Sequence, residues 1–189
     1  TPTNFASGLH VPTARAGLFD DKVRLLVPTV VGAAAPDHPE EPALLVRELL
    51  WHELAHVLVH QLSQGRAPRW VHEGIALVAE DRIWPLNREI LQVPLKRDEL
   101  PTIPQLEEAS VQASHPLDPD GLLFDMACWA HMKFLLERAG WAGLRQCLVE
   151  LAQGASAATA LERVAQLSED AWDRHWRRWL RGLIEAPAS

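Results

Sequence analysis

The chain has 189 residues, enough for one domain with a sizeable core, and 48% of them are hydrophobic. Its 25 acidic against 18 basic side chains give a net charge of −7, which argues against a nucleic-acid or anionic-membrane surface. No apolar run reaches the roughly 18–20 residues of a membrane span, and two cysteines, Cys128 and Cys147, make no disulfide framework and read as buried free thiols.

Residues Thr1 to Phe19 are rich in Pro, Gly and Ser and read as a lead-in. The sequence starts at Thr1 and not at Met, which leaves a removed signal peptide, an anchor or a preceding domain open; of the locations, an extracytoplasmic one (secreted, periplasmic or anchored through a preceding segment) is favoured. Lys22 to Val27 alternates, with Val23, Leu25 and Val27 on one face, and predicts a strand. Pro28 to Pro42 carries four prolines and predicts a loop.

Leu44 to Leu62 has apolar residues at helical intervals, which predicts a buried, rigid helix. It carries His52-Glu53-Leu54-Ala55-His56. Residues four apart share a helix face, so the two histidines can turn ring nitrogens to one ion while Glu53 handles a water proton. This is the zinc-protease motif, and it calls for a third protein ligand. The metzincin arrangement fails because Val59 and Leu62 stand where Gly and the last His should be. His60 continues the same face but lies about 6 Å along the axis from His56 and about 12 Å from His52, too far to converge. Glu73, with sixteen residues between it and His56, leaves room for a turn and a second helix.

The segment Trp70-Val71-His72-Glu73-Gly74-Ile75-Ala76 resembles the Trp-x-x-Glu-Gly-x-Ala signature of gluzincin metallopeptidases. With the first motif it resembles a minimal peptidase MA-like domain, from about Val23 to Leu180. The resemblance implies one Zn²⁺ held by His52, His56 and Glu73, with Glu53 as general base and a peptide or protein as substrate. It also implies a fold of class α+β, mainly α: a small N-terminal β element, the motif helix, a Glu-ligand helix and a C-terminal helical bundle. The Lys22–Val27 strand would either line the cleft and pair with extended substrate or merely cover the core. The expected organisation is a single domain, 1–189, with residues 1–21 as lead-in, 22–113 as the zinc-site half and 114–189 as the helical half.

The second helix is predicted over Arg69–Arg82, with Glu80 on roughly the face of Glu73, either accepting a hydrogen bond from a ligand or, as favoured, solvated, and His72 about 100° away from Glu73. Trp84 to Pro104, with four prolines, predicts an irregular segment. A short helix over Pro104–Val111, a turn over Ser114–Gly121, and helices over Leu122–Gly140, Trp141–Gln153, Ser156–Leu167 and Ser168–Leu183 complete the chain. Trp172, Trp176, Trp179 and Leu183 form a stripe that predicts core.

Related domains carry a tyrosine, aligned here with Phe124, that stabilises the oxyanion; this chain has no tyrosine. His131 and His115 are the candidate replacements, and His131 is the expected catalytic one. The alternative reading is a catalytically weak or inactive metal-binding domain used as a binding or structural module. Glu53 speaks against it, since holding a metal requires no carboxylate there.

Overall fold

The computed structural model describes residues 17–19, 23–25, 41–80, 84–111 and 121–186. Two three-residue segments, β1 (Gly17–Phe19) and β2 (Val23–Leu25), pair antiparallel in register Leu18 with Arg24. Seven helices follow: α1 (Glu41–Ser63), α2 (Arg69–Glu80), α3 (Trp84–Arg97), α4 (Ile103–Val111), α5 (Leu122–Ala152), α6 (Ala157–Ala165) and α7 (Glu169–Glu185). The expected α+β class is therefore corrected. The described core is built by the helices and the short connections between them, and three-residue rungs are too short to form a β layer or the six-residue strand expected at Lys22–Val27.

Helix α1 carries Pro42 in its first turn, where a missing N–H costs nothing. It ends where Gln64 (φ 53°) and Gly65 (φ 71°) turn left-handed, and the Gly65 amide donates to the His60 carbonyl. The described leucines and Trp51 of α1 are not among its buried residues. Leu50, Trp51, Leu54 and Leu58 are exposed, at 38, 55, 43 and 56%. The buried positions are Glu53, Ala55, Val59 and Ser63. The buried side of α1 is thus made of small and polar residues with one valine.

Helix α2 packs between α1 and α5, and Trp70, Val71, Ala76, Leu77 and Val78 are buried. No side chain of its own caps its start. The Trp70 amide donates instead to Ser110 Oγ of α4, 3.2 Å away, which donates onward to the Leu106 carbonyl. Gly74 faces α5 so closely that a Cβ there would lie 2.4 Å from the Cys128 carbonyl oxygen and 2.5 Å from Met132. Only glycine permits that approach.

The segment after α2 differs from the expectation of irregular chain. Pro85 falls in the first turn of α3 and Pro94 near its end, so α3 keeps most of its ladder while Leu91 and Leu95 are buried. Helix α5 is buried nearly all round between Met126 and Leu135 and forms the centre of the molecule. It breaks at Gly140 (φ 66°), where a helix end was expected. Ser156 and Ser168 cap α6 and α7, accepting from the Thr159 and Ala171 amides. The tryptophan stripe packs as expected, with Trp172 and Trp176 buried and Trp179 partly so. Cys128 and Cys147 are buried free thiols; burial raises both, Cys147 to about 12, so neither is a nucleophile. Among the described residues, no helix is long and apolar enough to cross a membrane.

Candidate metal centre

His52 and His56 stand one turn apart on α1, and the crossing with α2 brings Glu73 up to them. Their Nε2 atoms are 3.0 Å apart, and Glu73 Oε2 lies 3.8 Å from the first and 3.9 Å from the second. Tetrahedral zinc with ligand atoms at about 2.0–2.1 Å requires edges of roughly 3.3–3.4 Å. The triangle fits with shifts of a few tenths of an ångström. Two imidazole nitrogens and one carboxylate oxygen form a donor set of the kind that catalytic zinc takes.

The second nitrogen of His52 is also engaged. Nδ1 donates to Glu80 Oε1, so in neutral His52 the lone pair sits on Nε2 and faces the cluster. Glu80, expected to be solvated, is thereby the residue that fixes the ring. Burial lowers the His52 pKa, but the hydrogen bond to Glu80 and the charges of Glu80, Glu73 and Glu53 outweigh it, leaving a net rise. Glu53 is 3% exposed and close enough to act on His52.

Arg69 adds a cation to the rim. Its Nε is 3.9 Å from Glu73 Oε1, the oxygen other than the one turned to the histidines. Its guanidinium lies 4.9 Å over the ring of Phe124. Nothing local marks Arg69 beyond its spacing of four from Glu73. His72 is nearer than its 100° offset suggested, with its ring centroid 5.7 Å from that of His56. Burial holds the His72 pKa down, with Glu73 opposing and His60 adding to the shift.

A family model of the peptidase MA superfamily matches residues 43–182. The chain belongs to that superfamily. No curated protein and no solved structure matches it. The matched span of this peptidase MA domain begins inside α1 and ends in α7, so it includes both halves of the cluster and the tryptophan stripe.

Of the remaining sequence candidates, His60 is not part of the metal-holding group. His115 lies outside the described residues. His131 is fully buried, its Nδ1 accepting from Trp172 Nε1 at 2.9 Å and its Nε2 facing the Pro101 carbonyl at 3.3 Å. Its ring stacks on Trp176 at 3.9 Å. Burial lowers its pKa to about 3. Both nitrogens serve the core, so the expected role as oxyanion donor is corrected: the ring has no second N–H to offer a substrate.

Proposed function

We propose that this chain is a zinc-dependent peptidase of the gluzincin type, with His52, His56 and Glu73 as ligands and Glu53 as general base. The observation that carries the reading is the convergence of His52 Nε2, His56 Nε2 and Glu73 Oε2 from two helices, with a buried carboxylate beside them. When bound, the ion acts as a Lewis acid that polarises the scissile carbonyl and makes water acidic near neutral pH. Glu53 takes the proton of the attacking water and returns it to the departing amine. Glu80 fixes the tautomer and orientation of His52. The substrate is a peptide or a protein segment.

Metal analysis of purified protein tests the ligand set. Wild type should hold one zinc per chain, Glu73→Ala should lose most of it, and His60→Ala and His72→Ala should retain it. A Glu73→Ala protein that keeps its zinc while His72→Ala loses it would overturn the assignment.

A further inference from the structure

Attack on a peptide bond puts negative charge on the carbonyl oxygen, and donors aimed at that charge are among the larger contributions to catalysis. The chain has no tyrosine to give such a donor, and both nitrogens of His131 are engaged in the core. Glu53, Glu73 and Glu80 around the cluster are acids, and Arg69 beside it is a cation.

Helix stability does not account for Arg69. It is the first residue of α2, where a cation opposes the helix dipole. An Arg four residues before a Glu is also the weaker order for a helical ion pair. What the position provides is fixation from two elements: Nε against Glu73 Oε1 on α2, and the guanidinium plane over Phe124 on α5. The side chain keeps 39% exposure, so it borders solvent as well as the cluster. A guanidinium carries five N–H donors, and the two NH₂ groups lie on the far side of Cζ from the nitrogen that faces Glu73.

We propose that Arg69 binds the anionic oxygen of the peptide substrate. That oxygen is either the one that gains charge at the scissile carbonyl or a carboxylate carried beside the scissile bond. The inference rests on the peptidase reading above.

The test compares zinc-loaded wild type, Arg69→Met, which keeps an unbranched stem against Phe124, and Arg69→Lys. The probe is a phosphonate peptide analogue blocked at both ends, read by calorimetry, alongside hydrolysis of amidated and free-carboxylate peptides. If Arg69 serves the carbonyl oxygen, Arg69→Met binds the phosphonate about 10²–10³-fold more weakly. Its kcat then falls by a similar factor on both peptides, with zinc content and Tm unchanged and partial recovery in Arg69→Lys. If it serves a carboxylate, phosphonate affinity holds and KM rises only for the free-carboxylate peptide. Unchanged phosphonate affinity, kcat and KM in Arg69→Met overturn the inference alone. A wild type that takes up no zinc overturns the peptidase reading and this inference with it.

Discussion

Two histidines, one partly and one fully buried, one in each half of the molecule, have opposite surroundings. His52, at the crossing of α1 and α2, hydrogen-bonds Glu80 with Glu73 and Glu53 near, and these acids raise its pKa against the pull of burial. His131, in the middle of α5, is enclosed by Trp70, Trp172 and Trp176, and burial lowers its pKa to about 3. The same side chain therefore holds a poised nitrogen in one half and a structural hydrogen-bond pair in the other. The difference comes from the neighbours: acids favour the cation, while an apolar wall with one carbonyl and one indole N–H fixes the neutral form.

The sharpest way to test the contrast is to remove function from the first half without touching the second. Glu53→Gln keeps size and packing but removes the proton acceptor, so hydrolysis should fall about 10²–10⁴-fold with zinc content intact. Full activity in that variant would rule out Glu53 as the base.

The converse change belongs to the second half. His131→Ala opens a cavity in the tryptophan core and strips Trp172 Nε1 and the Pro101 carbonyl of their partner. A cost of about 3 kcal/mol or more is expected, a Tm drop of roughly 6–12 °C at this chain length, with zinc content unchanged in the folded fraction. A variant that loses zinc but not Tm would place His131 in the functional half after all.

Acidification reads out the same residue. The unfolded chain protonates this histidine near its ordinary value of 6.5, while the native state resists until about 3. Stability fully present above pH 6.5 is thus lost as pH falls towards 3, by up to about 1.4 kcal/mol per pH unit from this group. His52 in ion-free protein has the opposite sign: its raised pKa contributes stability below pH 6.5 that is lost as pH rises through the folded value. Melting curves of wild type and His131→Phe should differ in the steepness of the acid limb; superimposable limbs would refute the assignment.

Where the two halves meet, Gly74→Ala should act on both. Its methyl would press on the Cys128 carbonyl and Met132, costing about 1–3 kcal/mol and shifting the neighbouring Glu73. Both Tm and zinc affinity should fall, and a loss of Tm with unaltered zinc affinity would show that α2 yields without moving the ligand. The smallest effect expected is on affinity alone. Glu80→Gln keeps an acceptor for His52 but removes the charge, and zinc affinity should drop towards the lower end of the roughly 10–100-fold range. Chelator competition measures it, and equal affinity would leave Glu80 without a tuning role.

Much of this was legible from local rules. The motif spacing placed His52 and His56 on one face, and Ser156 and Ser168 announced two helix starts. The stripe of Trp172, Trp176 and Trp179 marked the core. Three readings failed for want of the partner. The prolines of α3 suggested broken chain because their places at the two ends of a helix were not visible. The leucines of α1 suggested burial, yet Leu50, Leu54 and Leu58 are exposed. Glu80 looked solvated because nothing local showed its pairing with His52, 28 residues away.

The sequence by itself determined which side chains can do chemistry and how they are spaced within each helix, because helical periodicity is a property of the local backbone. Only the tertiary structure decided which of them meet. The close approach of α2 to α5 at Gly74, the capping of Trp70 by Ser110 and the crossing of α1 over α2 bring Glu73 to the two histidines. They also close the tryptophan core around His131. Convergence depends on contacts between residues far apart in the chain, and no local pattern encodes them.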